Sequence, residues 1–294
     1  MSSPARRILL LGHTGQVGWE LQQTLPRIGE VIALGRSDAD LARPADLRAA
    51  ARAVRPQVIV NAAAYTSVEG AETDAGTAEA VNAIAPGVLG EEAARIGASM
   101  VHFSTDYVFD GEKRTPYLET DPERPLNVYG STKLAGEQAV RDALDQHLIF
   151  RTSWVYGGRG RNFLRTMLRL FMEREEVQVV DDQVGAPTWS RMIADATTRA
   201  IADTFGEGGA PHGTYHLSAA GQTSWHGFAA AIHDRVCRSC VTRKVSPIRT
   251  GDFPSAVPRP AYSVLSNEKI AEQLGIRLPD WRTSVDLMLA EIGY

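Results

Sequence analysis

Arg7-Ile8-Leu9-Leu10-Leu11-Gly12-His13-Thr14-Gly15-Gln16-Val17-Gly18 decides the fold. An aliphatic run this short reads as a strand buried on both faces. The glycines follow it at once and lead into a helical pattern at Trp19, Leu21, Gln22 and Leu25. Strand, glycine loop and helix is the order in which a parallel sheet offers a dinucleotide its phosphate site. Glycine permits the tight turn and the close approach of backbone amides, and the helix N-terminus favours the anion. A G-x-x-G-x-x-G spacing alone is weak; its place between strand and helix makes Gly12, Thr14, Gly15, Gln16, Val17 and Gly18 candidate cofactor residues.

Outward from this unit, strands and helices alternate. Glu30–Leu34 is a second strand, and the residues after it should meet the adenosine ribose. An acidic residue there would bond the 2′-hydroxyl of NAD, whereas an arginine accommodates the 2′-phosphate of NADP. Here Gly35-Arg36-Ser37 follows, so Arg36 favours NADPH, with NADH as the alternative because Asp38 and Asp40 lie near. Arg36, Asp40 and Leu41 are the candidate residues on this side. Pro44–Val54 reads as a helix with its proline where a missing N–H does no harm. Residues 57–60 form the next buried strand, and Asn61-Ala62-Ala63-Ala64-Tyr65 ends it with side chains small enough for a flat ring or ribose to lie against Ala62, Ala63 and Ala64. A helical region spans 74–96, bent or broken around Pro86.

Residues 100–103 form a further strand that ends in Ser104-Thr105-Asp106-Tyr107, and ligands of open α/β sheets bind outside such strand ends. After a polar loop over 110–125, Tyr129-Gly130-Ser131-Thr132-Lys133 sets a phenol and an ammonium four residues apart on one helix face. A neighbouring cation favours the phenolate and makes the tyrosine a usable acid near neutral pH, which suits carbonyl reduction. Another strand over 148–151 ends in Thr152-Ser153-Trp154. From Gly157 the alternation breaks down into shorter elements and a proline-rich passage over 247–260. The fold expected is α/β, a doubly wound, mostly parallel Rossmann sheet with a smaller α/β substrate-binding lobe. Residues 1–156 would be mainly the NAD(P)-binding domain and 157–294 mainly the lobe, with some segments returning to the sheet.

These motifs resemble the extended short-chain dehydrogenase/reductase superfamily, in which the glycine loop binds the cofactor and residues matching Thr105, Tyr129 and Lys133 form the catalytic set. Ser104-Thr105-Asp106-Tyr107-Val108-Phe109, Asn127-Val128-Tyr129-Gly130 with Lys133-Leu134-Ala135-Gly136-Glu137, Arg151-Thr152-Ser153-Trp154-Val155-Tyr156, Asp182-Gln183 with Gly185-Ala186-Pro187-Thr188, and Arg259-Pro260 narrow the resemblance to its dTDP-4-dehydrorhamnose reductase family. The resemblance implies NAD(P)H-dependent reduction at C4 of dTDP-4-dehydro-β-L-rhamnose. By position, Tyr129 would protonate the alkoxide. Lys133 would hold the nicotinamide ribose and lower the Tyr129 pKa, and Thr105 would bond the substrate oxygen. Thr105, Asp106, Tyr129 and Trp154 would meet the sugar, with Arg259 near the diphosphate. Some members join two subunits through magnesium held by two glutamates. Glu20 matches the first, but Arg191 stands at the second and argues against a metal here.

Composition limits the alternatives. With 294 residues, 44% of them hydrophobic, the chain can bury a large core, and a net charge of −4 with scattered basic residues gives no footprint for nucleic acid. The basic start, residues 1–7, precedes too short an apolar run for a secretory signal, and no run approaches a membrane span. A cytoplasmic monomer or weak homodimer acting on a dTDP-4-keto-sugar is expected. The only cysteines, Cys237 and Cys240, lack a second ligand pair for zinc and read as unpaired, reduced thiols. Two other functions compete. A dehydratase or epimerase relative would carry an acidic residue where Tyr107 stands. A non-catalytic NADP-binding regulatory subunit would have lost part of Thr105, Tyr129 and Lys133.

Overall fold

The computed structural model describes residues 6–206, 209–237, 240–255 and 257–294; residues 1–5 of the basic start lie outside the described residues. In chain order the strands are β1 (Arg7–Leu11), β2 (Glu30–Leu34), β3 (Val58–Asn61), β4 (Ser99–Thr105), β5 (His147–Thr152), β6 (Val155–Tyr156), β7 (Glu176–Val180), β8 (Val184–Gly185), β9 (Thr188–Trp189), β10 (Gly213–His216), β11 (Thr223–Ser224) and β12 (Lys244–Ile248). The helices are α1 (Gln16–Thr24), α2 (Pro44–Val54), α3 (Val68–Thr73), α4 (Ala75–Glu79), α5 (Ala85–Ile96), α6 (Val128–Ala143), α7 (Phe163–Glu173), α8 (Ser190–Phe205), α9 (Trp225–Val236), α10 (Glu268–Leu274) and α11 (Trp281–Glu291).

Six strands form one parallel sheet in the order β10-β5-β4-β3-β1-β2. Alternation along β1 shows why both faces are covered. Ile8 and Leu10 join a core with Leu21 and Leu25 at the α1 end and Ile193 and Ile201 of α8. Leu9 and Leu11 point the other way, into a core with Leu47 of α2, Leu89 of α5 and Val140 of α6. A doubly wound sheet results. The strand order reverses between β1 and β3, where Leu11 stands beside Asn61, so the glycine loop and the Asn61–Ala64 stretch open into the same crevice.

Elements lie close to the expected ones, with two informative differences. The helical run over 74–96 is not simply broken at Pro86. Residues Ala80–Ile84 wind as a π-helical segment between α4 and α5, and Pro86 occupies the first turn of α5. The wider turn aims Asn82 at the backbone of Tyr65, accepting from its N–H at 2.9 Å and donating to its carbonyl at 3.0 Å. The second difference concerns the cysteines. Cys237 and Cys240 are joined by a disulfide, which overturns their reading as free thiols. Helix α9 stops at Val236, and the Cα atoms of Cys237 and Cys240 stand 4.7 Å apart, within disulfide reach. His233, the nearest candidate metal ligand in sequence, faces the Thr242 carbonyl at 3.2 Å instead.

The second half of the chain contributes to both parts of the molecule. Strand β10 closes one edge of the main sheet, and α8 packs on α1. Tyr156, Phe171, Phe228, Trp281 and Met288 gather into a separate core beneath the parallel pair β7 and β12. No described helix is long and apolar enough to cross a membrane.

Candidate active site

The glycine loop is shaped by close approach. Gly12 has φ +79°, and a Cβ there would stand 2.6 Å from the Ala63 amide nitrogen; a Cβ on Gly18 would overlap the Gly12 carbonyl. Gly15 caps α1 without a side chain, and Thr14 and Gly15 are exposed, so the first-turn amides face an open cradle that fits a pyrophosphate. Gln16 accepts from Asn162 at 2.9 Å and ties the loop to the second half of the chain, while Val17 packs on the core. Ala62, Ala63 and Ala64 are half-buried beside the loop.

On the adenosine side, Arg36 has 82% of its side chain exposed and donates to Asp40 at 3.4 Å. Asp40 accepts from the Ala42 amide at 3.0 Å, and that bond leads the influences holding its carboxyl below the usual range. Asp38 accepts from the Gly35 amide at 2.9 Å. Leu41 packs its side chain among Ala39, Leu47 and Leu9, which leaves its backbone as the part that can meet the cofactor.

Thr105 ends β4, and Tyr129 and Lys133 stand one turn apart on α6, whose start is fixed by Asn127 accepting from the Gly130 amide at 2.8 Å. Thr105 Oγ1 donates to Asp106 Oδ1 at 3.1 Å and accepts from the Tyr107 amide at 3.2 Å. The Tyr107 ring meets the Tyr129 ring edge-on, with centroids 5.6 Å apart. Burial pushes the Tyr129 phenol up to about 12; a hydrogen bond with Thr105 pulls it down, and the Asp106 charge pushes it up again. Lys133 has no part in that balance, contrary to the expectation that it lowers the Tyr129 pKa. Its Nζ is turned into the sheet, donating to the Phe103 carbonyl at 2.6 Å and facing His102 Nε2 at 3.3 Å. Burial lowers the Lys133 pKa to about 8, partly offset by the Glu137 charge. Asp106 is buried too, which raises it to about 7 against hydrogen bonds with Ser263 and Thr105, and its Oδ2 has no protein partner.

Several side chains that hold this site carry no role in the sequence reading. Arg151 of β5 donates to Glu137 of α6 at 2.9 and 2.7 Å, and Ser104 of β4 donates to the same carboxylate. This buried pair fixes the helix bearing Tyr129 and Lys133 against the strand ends. Trp154, held at φ +46°, lies on Trp225 of α9, and Trp225 also lines a cavity of about 670 Å³ with Phe163, Arg174, Gln178, Phe253 and Arg259. Arg259 is paired with Glu69 of α3 and keeps a buried Nε without a partner. Glu20 is occupied by Arg191, whose Nε donates to it at 2.7 Å while its other nitrogens donate to Glu291. A guanidinium at this point does not fit a cation site, and no group of three or more metal-ligating side chains occurs among the described residues.

Residues 6–293 match the family model described as RmlD substrate binding domain. A dTDP-4-dehydrorhamnose reductase of Burkholderia thailandensis is 51% identical over 97% of this chain and 99% of its own length. One from Escherichia coli K12 is 43% identical over 97% of each chain. The crystal structure of the Bacillus anthracis dTDP-4-dehydrorhamnose reductase in complex with NADP superposes with a TM-score of 0.91 at 33% identity, covering 98% of this chain and 99% of that one.

Proposed function

The chain belongs to the dTDP-4-dehydrorhamnose reductase family, and from that membership and the site geometry we infer how its own residues carry the reaction. It is an NAD(P)H-dependent oxidoreductase that reduces the C4 ketone of dTDP-4-dehydro-β-L-rhamnose to dTDP-L-rhamnose. The observation that carries the residue roles is the convergence of Thr105, Tyr129 and Lys133 at the strand ends beside the glycine cradle.

The nicotinamide cofactor supplies the hydride. Tyr129 gives its phenolic proton to the oxygen that becomes the C4 hydroxyl, so hydride and proton together convert ketone to alcohol. Thr105 bonds that oxygen and holds the Tyr129 hydroxyl in line. Lys133, when charged, keeps two of its N–H groups on Phe103 and His102 and offers the third to the ribose. Gly12, Gly15 and Gly18 shape the phosphate cradle, with Thr14 and Gln16 at its rim, and Ala62 to Ala64 form its floor. Asp106 and Trp154 contact the sugar, and Arg259, in the lining of the cavity, meets the diphosphate. Residues 157–294 therefore carry mainly the substrate side.

A dehydratase needs a carboxyl after Thr105-Asp106, and Tyr107 stands there with its phenol pushed still further up by burial. The Glu20–Arg191 pair supports a monomer or weak homodimer. Loss of NADPH absorbance on adding dTDP-4-dehydrorhamnose, with the product identified by NMR, tests the reading; turnover of only another 4-keto nucleotide sugar would refute the substrate, and no turnover the roles.

A further inference from the structure

Behind Tyr129 and Lys133 runs a line of polar groups that the reaction as described leaves unused. The Ala63 amide donates to Asn61 Oδ1 at 3.3 Å, Asn61 Nδ2 faces His102 Nδ1 at 3.3 Å, and His102 Nε2 faces Lys133 Nζ at 3.3 Å. Lys133 donates onward to the Phe103 carbonyl at 2.6 Å. Asn61, His102 and Lys133 are 0%, 1% and 2% exposed, so bulk water cannot replace a partner that points the wrong way.

The ends of this line are fixed in kind, since a backbone amide only donates and a backbone carbonyl only accepts. Its middle is reversible: a neutral imidazole carries its proton on either nitrogen, and a primary amide can turn over. From the Ala63 end, Asn61 accepts with Oδ1 and donates with Nδ2. His102 Nδ1 must then be bare, and Nε2 carries a hydrogen aimed at Lys133. A neutral amine has a lone pair to receive it; an ammonium has three N–H groups and none. When Lys133 is charged, Nε2 must be bare and Nδ1 protonated, and Asn61 must turn its oxygen to Nδ1. That withdraws the acceptor from the Ala63 amide.

We infer that His102 is a positioning residue that couples the charge of Lys133 to Asn61 and to the Ala63 amide through a change of tautomer, without changing its own charge. Ala63 packs against Gly12, so the amide released when Lys133 charges belongs to the cofactor crevice. Burial and the Lys133 charge hold the His102 pKa well below its usual value, so the imidazole stays neutral throughout. Lys133 is the group that titrates. On its own helix the Glu137 charge acts on it, and Tyr129 stands one turn before it; on β4 it faces His102, with Asp106 beyond Thr105; from β5, Arg151 neutralises Glu137.

Ring ¹⁵N shifts of ¹⁵N-histidine-labelled protein read the tautomer directly, with His102 assigned among the seven histidines by the signal missing from His102→Gln. Below about pH 8, where Lys133 is charged, Nδ1–H is expected, and above it Nε2–H. A single tautomer from about pH 6 to about pH 10 would overturn the inference, whatever the substrate proves to be. Asn61→Asp supplies a carboxylate that accepts from both the Ala63 amide and Nδ1–H. It is expected to hold the Nδ1–H form at every pH and to move the high-pH limb of kcat upward by about one to two pH units, the equivalent of one buried hydrogen bond. An unmoved limb in the folded variant would also overturn it. Should that variant fail to fold, the wild-type shifts decide alone. The kinetic arm rests on the reductase reading, whereas the tautomer arm does not.

Discussion

The indole rings of Trp154 and Trp225 lie face to face, with centroids 3.5 Å apart and planes 4° from parallel, although they come from positions far apart in the chain. Trp154 is held at φ +46°, where a bulky residue is strained, and Gly185 gives it room: a Cβ there would stand 2.5 Å from the indole. The pair therefore fixes where the Trp154 ring stands, and the sugar contact proposed for it can be tested by loosening that stack. Trp225→Ala and Gly185→Ala should each raise KM for the nucleotide sugar several-fold, since an aromatic pair is worth about 0.5–1.5 kcal/mol. kcat should change less. An equal fall in kcat with KM unmoved would place Trp154 away from the sugar.

Tyr129→Phe should lose about 10²–10⁴ in kcat while keeping NADP affinity, because it removes the one hydroxyl placed to give the proton and leaves the ring edge-on to Tyr107. Stopped-flow turnover and cofactor titration separate the two effects. Near wild-type kcat would exclude the phenol as the acid.

Lys133 is costly to the fold. Its folded pKa of about 8 lies below the unfolded value of 10.5, so between these pH values the unfolded chain holds the extra proton. Stability contributed by this site therefore rises with pH through that window, and its penalty, up to about 3 kcal/mol, is fully present below about pH 8. Lys133→Met should abolish activity and yet raise Tm at pH 7 by a few degrees, with the gain gone near pH 10. In wild type, kcat should fall as pH rises through about 8, as the ammonium is lost. Thermal unfolding of both proteins at the two pH values checks the first claim; a Met variant less stable at pH 7 would show that the Phe103 contact outweighs the charge.

What was legible in the sequence is what backbone geometry forces. Gly12 must be glycine because of its positive φ and the Ala63 amide beside it, and strands with an unbroken aliphatic pattern declare a sheet covered on both faces. The proximity of Thr105, Tyr129 and Lys133 is legible because they lie at a strand end or one helical turn apart. His102 was missed because a buried histidine within a strand reads as core. The Glu69–Arg259 pair was missed because nothing local links positions so distant in the chain. The sign of the Tyr129 shift was misjudged for a physical reason: spacing shows that two side chains share a face, but not that one of them turns inward to bond Phe103. The packing of Leu41 is hidden for a similar reason, since a loop position does not show a side chain aimed at the core.

Arg191 bridges Glu20, which is almost wholly buried, and Glu291, which is exposed. Its guanidinium satisfies the position that a divalent cation would otherwise fill, so EDTA or added magnesium should change neither turnover nor sedimentation behaviour. Arg191→Ala should lower stability by about 1–3 kcal/mol by leaving the Glu20 carboxylate without its partner. A loss of activity on chelation, restored by magnesium, would contradict this assignment.

Cofactor choice is expected to turn on Arg36, whose guanidinium is nearly free of the fold and tethered to Asp40 by a single 3.4 Å contact. A surface pair of this kind is weak, about 0–1 kcal/mol, so a 2′-phosphate can draw Arg36 away at little cost. Asp38, the carboxylate nearest in sequence to the ribose position, is held by the Gly35 amide at 2.9 Å and stays within the loop, where its charge opposes the phosphate. A charge-assisted bond of about 1.5–3 kcal/mol, reduced by that repulsion and by exposure, leaves a preference for NADPH of up to about tenfold, with NADH still used. Comparison of kcat/KM for both cofactors in wild type, Arg36→Ala and Asp40→Ala measures each part. Arg36→Ala should bring the two cofactors to near parity, and Asp40→Ala should sharpen the preference for NADPH by releasing the guanidinium. If Arg36→Ala leaves the ratio unchanged, the 2′-phosphate is met by other groups and Arg36 serves only its loop.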